Sequence, residues 1–140
     1  MSFGEAVKSG FKKYCVFSGR ARRSEYWWFV LFNIIVQCVF FLINCFIPRE
    51  SGIYTVFNYI RTLYGLAVFL PGLGLCWRRL HDIGKCGAWF FINFVPIVGQ
   101  ILLIFWLSLD SQPGENKYGP NPKGIESDDE EPYTYNQPNC

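Results

Sequence analysis

Long stretches without charge dominate the pattern of hydrophobic and polar positions along this chain. No acidic or basic residue occurs in residues 26–47, 62–77 or 87–109. An α-helix needs roughly 20 apolar residues to cross about 30 Å of hydrocarbon. We therefore predict an all-α fold, an integral membrane helical bundle with three transmembrane helices at about 26–47, 53–77 and 87–109.

The second predicted span is the least regular, because its uncharged part is short. Residues 62–77 would rise only about 24 Å as an α-helix, whereas residues 53–77 would rise about 37 Å and include Arg61. An arginine costs roughly 2.5 to 3.5 kcal/mol at the bilayer centre and less near an edge, where its long stem reaches water. We predict the longer helix, with Arg61 directed outward, toward Glu50.

Helix-breaking residues lie inside two of the predicted spans. Pro71, Gly72 and Gly74 are expected to bend or loosen the inner half of the second span. Pro96 is expected to kink the third span. A split of residues 87–109 into two full crossings is disfavoured, because each crossing alone needs roughly 20 residues.

Residues 1–25 predict an amphipathic helix ahead of the first span. Ser2 and Glu5 have the spacing of a capping box, in which each side chain satisfies a backbone donor freed at the helix start. Ser18 and Gly19 are expected to end this helix. It can lie in the membrane interface with its lysines toward anionic headgroups, or its apolar face can pack on protein. That face consists of Phe3, Val7, Phe11 and Tyr14.

Composition and charge fit a membrane protein. Hydrophobic residues make up 51% of the 140 and charged residues 17%, which excludes an ordinary soluble enzyme or a nucleic-acid-binding module. The net charge is +4 in residues 1–25, +2 in residues 78–86 and −5 in residues 110–140. Since Lys and Arg near span ends resist translocation, the first two segments are expected in the cytoplasm.

Three crossings would then place the polar tail, residues 110–140, on the extracytoplasmic side. The tail is rich in proline and acidic residues and cannot bury enough apolar surface to offset the entropy of ordering. We predict disorder after about residue 124. The six cysteines lack the spacing of a metal site, and the sequence predicts no metal, cofactor or nucleic-acid partner.

Polar residues within the predicted spans fall on one face of each helix. At about 100° per residue, those of the first span lie within a sector of about 40°. Such a stripe favours contact between helices, which it would hold together by hydrogen bonds. The alternative is a polar path for a solute. The predicted polar stripe consists of Asn33, Gln37, Asn44, Arg61, Asn93 and Gln100.

Two basic segments are expected to meet at the cytoplasmic surface of the membrane. Arg78 and Asp82 are four residues apart, and Arg22 and Glu25 three apart, so each pair can form along a helix. The arginines either anchor the orientation or bind anionic lipid headgroups or a protein partner, because guanidinium matches phosphate in a bidentate manner. The predicted basic cluster consists of Arg20, Arg22, Arg23, Glu25, Arg78, Arg79, His81, Asp82 and Lys85.

His81 is the only histidine, and its neighbour Asp82 could orient an imidazole for proton transfer. No nucleophile follows at a recognisable spacing. A structural role in the turn before Gly84 is therefore favoured, and we predict no catalytic residue.

Three segments carry a family resemblance. Residues 17–28, FSGRARRSEYWW, resemble the opening signature of the bacterial membrane family called domain of unknown function 805. Residues 78–84, RRLHDIG, resemble its second signature, and residues 113–122, PGENKYGPNP, its closing segment. The resemblance covers about residues 1–123. It implies a small multi-span protein of the bacterial inner membrane and supplies no activity, substrate or cofactor.

The function predicted from these features is that of a non-enzymatic inner-membrane component. It would act by associating with membrane lipids, with itself as a homo-oligomer, or with a membrane-protein partner. The alternative is a small transporter or channel subunit, motivated by the polar stripe and by Arg61. An enzyme that acts on lipid headgroups through His81 and Asp82 is the third hypothesis.

Overall fold

A computed structural model describes residues 2–124 of the chain. Its secondary structure there is helical, which confirms the all-α class. The predicted disorder after residue 124 lies outside the described residues. The helices are α1 (Phe3–Lys12), α2 (Arg23–Phe46), α3 (Gly52–Asp82), a 3₁₀ helix (Gly87–Phe94) and α4 (Val98–Ser108).

Helices α2 and α3 are long and apolar enough to cross a membrane. Only 6% of the most apolar 18-residue stretch of α2 is buried, and 22% of that of α3. The core helix of a soluble protein is mostly buried, so apolar faces this exposed require hydrocarbon or another protein as their surroundings. The second span adopts the longer form, since α3 begins at Gly52 and continues through Pro71.

The two long helices run antiparallel and are joined by a short turn. Asn33 meets Tyr64, and the Phe40 ring lies 5.4 Å from that of Phe57. The turn ends at Ser51, whose hydroxyl accepts a hydrogen bond from the Ile53 N–H and so caps α3. This pairing puts the beginning of α2 beside the end of α3.

The predicted capping box forms at the start of α1. The Ser2 N–H donates to the Glu5 carboxylate at 2.7 Å, and the Glu5 N–H donates to the Ser2 hydroxyl at 3.4 Å. The first of these bonds lowers the pKa of Glu5 below its usual value. The predicted end of α1 at Ser18 and Gly19 is wrong. The helix ends at Lys12, and Tyr14 turns away to donate to the Ala67 carbonyl at 2.6 Å.

The apolar face of α1 packs on α2 of the same chain. The Phe3 ring meets Trp28 edge to face at 5.7 Å, and Phe11 meets Phe29 at 5.6 Å. A Cβ atom at Gly10 would lie 2.6 Å from the Phe29 ring, so glycine permits this close approach. The lysines of α1 stay exposed on its other side.

Residues 87–109 form a helical hairpin, and the prediction of one continuous spanning helix there is wrong. The 11 residues of α4 rise only about 16 Å. Pro96 cannot donate a backbone hydrogen bond and disfavours helical geometry at the residue before it. Ile97 has a positive φ of 65°. Gly99 lets α4 approach the 3₁₀ helix, since a Cβ there would lie 1.8 Å from the Ile92 oxygen.

Both ends of the helical hairpin lie at the same end of α3. The Lys85 ammonium group is 4.3 Å from the Trp106 ring centre, and the Gln112 N–H donates to the Asp82 carbonyl at 3.1 Å. Residues 110–124 therefore lie beside the basic segments. The predicted placement of the tail at the opposite end is wrong for these residues, because it assumed a third crossing.

This arrangement predicts which residues label from the same side of a membrane. The basic end of the chain is expected in the cytoplasm, so in a cysteine-free background Lys12→Cys and Lys123→Cys should react with an impermeant thiol reagent only in inverted vesicles. Glu50→Cys, in the turn between α2 and α3, should react in intact cells. The reason is that the helical hairpin returns to the side from which it starts. Reaction of Lys123→Cys together with Glu50→Cys in intact cells would contradict the fold.

Candidate functional site

The predicted basic cluster is largely buried where α2 begins and α3 ends. At its centre is Asp82, whose side chain is inaccessible to solvent. Arg20 Nε lies 2.9 Å from Asp82 Oδ1, Arg79 forms an ion pair with Oδ2, and the Ser111 hydroxyl donates to Oδ2 at 2.6 Å. We call these four residues the Asp82 cluster. Its buried members satisfy one another, as buried charges must to offset their desolvation.

Arg20 joins the segment before α2 to the tail. Besides Asp82, its guanidinium group donates to the main-chain oxygens of Gln112 at 2.5 Å, Gly114 at 2.7 Å and Gly119 at 3.3 Å. A guanidinium group carries five N–H donors in a rigid fork, so it can hold several carbonyl groups at once. Residues 112–119 of the tail are thereby fixed against α3.

Arg79 joins α3 to the returning end of the helical hairpin. Its Nε donates to the Leu107 carbonyl at 3.2 Å, and its Nη2 donates to the Leu109 carbonyl. The last carbonyl groups of a helix lack partners within that helix and attract cations. Arg79 supplies such a cation to the end of α4 while it neutralises Asp82.

Arg78 points toward α1 and α2 instead of toward the tail. Its Nη1 lies 3.6 Å from the Glu25 carboxylate, which also accepts a hydrogen bond from the Ser9 hydroxyl at 2.7 Å. The predicted Arg78–Asp82 and Arg22–Glu25 pairs are wrong. Arg79, three residues before Asp82, forms the ion pair instead of Arg78. Arg22 donates to a tail carbonyl at Pro122.

His81 packs against the tail. Its ring stacks on Tyr118 with 3.7 Å between ring centres, and its Nδ1 lies 3.3 Å from the Gly19 carbonyl. The Asn116 amide donates to the His81 carbonyl at 3.0 Å. Within residues 2–124 no hydrogen bond joins His81 to Asp82, so Asp82 does not orient the imidazole, whose contacts are with Gly19 and Tyr118.

The remaining members of the basic cluster lie nearer the surface. Arg23 is exposed, and Lys85 is half-buried beneath the rings of Trp89 and Trp106. Asp110, on the same face, pairs with Lys123, whose hydrogen bond lowers the pKa of that carboxyl group. In residues 2–124 no group of three His, Cys, Asp or Glu side chains is placed to hold a metal ion.

Most of the predicted polar stripe lines one cavity between α2, α3 and the helical hairpin. Its volume is about 1030 Å³, and most of its lining is apolar, for example Phe29, Ile34 and Ile104. We call it the interhelical cavity. Asn44 lies elsewhere, in a separate depression beside Arg49. The stripe residues that line the cavity are Asn33, Gln37, Arg61, Asn93 and Gln100.

The stripe residues in the interhelical cavity differ in whether their polar groups have partners within the protein. Asn33 accepts a hydrogen bond from the Tyr64 hydroxyl at 2.9 Å and donates to the Phe29 carbonyl at 2.8 Å, so it holds α2 to α3. Arg61 is exposed. Across residues 2–124 no ion pair reaches Arg61, and the predicted contact with Glu50 does not form.

The sequence analysis did not predict that residues of the tail contribute to this site. Ser111, Gln112, Asn116 and Tyr118 complete the surroundings of Asp82 and His81. The only signal for them was the resemblance of residues 113–122 to a family's closing segment. A composition typical of a solvated tail concealed their packing role.

Replacement of one partner in the Asp82 cluster should strongly destabilise the fold. Asp82→Asn leaves two buried guanidinium groups short of a counter-ion, and such losses cost about 3 to 5 kcal/mol. The measurement is the free energy of unfolding in mixed micelles. Asp110→Asn is the matched control, because it breaks an exposed pair worth about 0 to 1 kcal/mol. Equal stability of the two variants would contradict the central role of Asp82.

Comparison with known proteins assigns the family. Residues 14–120 match the family model described as "Protein of unknown function (DUF805)". The chain is 43% identical over 112 residues to inner membrane protein YhaI of Escherichia coli K12, with 80% of this chain and 90% of YhaI covered.

Inner membrane protein YhaH of the same strain is 39% identical over 116 residues, with 80% of this chain and 91% of YhaH covered. No solved structure matches the chain. The residues that the family model matches, 14–120, include all of the Asp82 cluster and all residues that line the interhelical cavity. The resemblance found in the sequence is confirmed, and this chain belongs to the DUF805 family of proteins of unknown function.

Proposed function

We propose that the chain is a multi-pass protein of the bacterial inner membrane, crossed by α2 and α3. Two observations support this placement: the relatives YhaI and YhaH are inner membrane proteins, and the apolar faces of both helices are exposed. The basic segments favour the cytoplasm for the end where α2 begins. The helical hairpin then enters the membrane from the cytoplasm and returns to it, and residues 110–124 lie in the cytoplasm.

Within that membrane, the chain acts as a non-catalytic component that holds an amphipathic molecule in the interhelical cavity. The observation that carries this proposal is the convergence of polar residues from α2, α3 and the helical hairpin on an otherwise apolar cavity. Ligand sites combine these features and typically have volumes of about 300 to 1,000 Å³. The cavity volume of about 1030 Å³ lies at the upper end of that range.

A tight core lies between the cavity and the cytoplasmic end. Cys76, Leu80, Leu103 and Leu107 pack there as one buried cluster, and the Asp82 cluster lies beyond them. Passage of a solute would require the helical hairpin to separate from α3. Retention of a molecule is therefore favoured over conduction.

The second candidate function is that of a small transporter or channel subunit, and the polar residues that line the cavity support it.

The cytoplasmic face of the protein anchors the chain to the membrane surface. Arg23, Lys85 and the lysines of α1 stay at or near the surface, so they can contact anionic lipid headgroups. The buried arginines cannot do so while they hold the fold. The exposed outer faces of α2 and α3 leave room for a second copy of the chain or for a membrane-protein partner.

Filling the interhelical cavity should remove the bound molecule. Gly65 lines the cavity, and a Cβ atom there would have no neighbour within 4 Å, so a side chain can start at this position and Gly65→Phe would place a ring in the cavity. Native mass spectrometry of protein purified in mild detergent should show an amphipathic molecule on the unmodified chain and its loss from Gly65→Phe.

Leu66→Phe is the matched control. It adds an aromatic ring at the same depth, at a residue that is exposed and lies outside the cavity lining. This variant should retain the molecule. If Gly65→Phe retains as much as Leu66→Phe, the cavity is not the binding site.

A further inference from the structure

Arg61 is a charged side chain without a counter-ion in the membrane-spanning part of α3. It lies about 14 Å along the helix from Gly52 and about 32 Å from Asp82, so it belongs to the half of α3 away from the basic cluster. An arginine in hydrocarbon is costly and normally marks a functional contact. Within the described part of the chain, no carboxylate lies within ion-pair distance of it.

The interhelical cavity extends from Arg61 toward the cytoplasmic half of α3. Both Arg61 and Cys76 line it, and they are about 22 Å apart along the helix axis. One leaflet contributes about half of the roughly 30 Å of hydrocarbon. The cavity is thus long enough for one acyl chain of the outer leaflet together with the polar group that carries it.

The charge of the cavity is positive. Of the described residues that line it, Arg61 is charged and none is acidic. Guanidinium groups bind phosphate oxygens in a bidentate manner. A headgroup with net negative charge would neutralise Arg61. A zwitterionic headgroup would also bring an ammonium group, for which the lining offers no carboxylate.

An amide group lies at the same level as Arg61. The contacts of Asn33 with Tyr64 and of Phe40 with Phe57 fix the register of the antiparallel pair and place Gln37 opposite Arg61. Gln37 lines the cavity, and its amide can donate to a carbonyl oxygen. Glycerol esters of a phospholipid lie just below its phosphate, where such a donor would meet them.

We propose that the interhelical cavity binds one anionic phospholipid of the outer leaflet, with its phosphate on Arg61 and an acyl chain directed toward Cys76. This inference rests on the proposed function and names the class of molecule that the cavity holds. Lipid recognition by this chain then depends on a single cation in the outer half of the membrane.

The test measures lipid selection by the purified protein. The unmodified chain and each variant are equilibrated in mixed micelles with equal amounts of phosphatidylglycerol and phosphatidylethanolamine, and bound lipids are counted by native mass spectrometry. The unmodified chain should enrich phosphatidylglycerol about tenfold, which corresponds to about 1.4 kcal/mol. Arg61→Gln should bring the ratio close to one. Arg61→Lys should keep part of the enrichment, because it keeps the charge.

Arg49→Gln is the matched control, since it removes the same charge from the exposed turn outside the cavity, and it should keep the enrichment. An unchanged ratio in Arg61→Gln would overturn the inference. Gly65→Phe distinguishes a wrong lipid class from a wrong binding site. Loss of lipid from Gly65→Phe with no effect of Arg61→Gln would reject only the lipid class. Retention of lipid by Gly65→Phe would reject the cavity itself.

A second measurement needs no change at Arg61. Cys38 is a free cysteine that lines the cavity, whereas Cys45, also free, lies outside it. Added phosphatidylglycerol should slow the reaction of Cys38 with a membrane-permeant maleimide several-fold more than phosphatidylethanolamine does, and should leave Cys45 unaffected. Equal protection of Cys38 by both lipids would contradict selection by charge.

Discussion

The buried carboxylate of Asp82 is the interaction on which the rest of the structure depends. It lies out of contact with solvent and accepts from Arg20, Arg79 and Ser111. A buried charge of this kind is tolerated only when partners surround it. The same two arginines also bind carbonyl groups of the tail and of the helical hairpin. One side chain of α3 therefore decides where two distant segments of the chain are held.

The interhelical cavity follows from that constraint. Because Arg79 holds the end of α4 and Arg20 holds the tail, residues 87–108 must leave and return at one end of α3. The helical hairpin then covers only part of the groove between α2 and α3. A third crossing helix could fill that groove along its whole length, but it would carry the tail away and leave the donors of both arginines buried without acceptors, at a cost of about 1 to 3 kcal/mol each.

Local features of the fold were predictable, and long-range ones were not. The spacing of Ser2 and Glu5 predicts the capping box, and the uncharged stretch after Arg61 predicts the helix that contains it. The polar stripe follows from the angular positions of its residues, which are a local property of a helix. The length of residues 87–109 fits one crossing helix as well as two short ones, so the hairpin was missed. Spacing within α3 favoured Arg78 as the partner of Asp82, whereas Arg20, 62 residues away, supplies part of the pairing.

Residue type alone does not decide which arginine meets the membrane. Arg20 and Arg79 lie in the segments for which the sequence predicts contact with lipid headgroups. Both instead bind Asp82 and main-chain carbonyl groups within the fold, and Arg78 has Glu25 as its counter-ion. Burial thus removes these three cations from lipid recognition. The sequence predicts that Arg61 is directed outward toward Glu50, but Arg61 is exposed in the interhelical cavity and has no carboxylate partner among residues 2–124. Of these four arginines, it is the one whose charge the chain leaves for another molecule to neutralise.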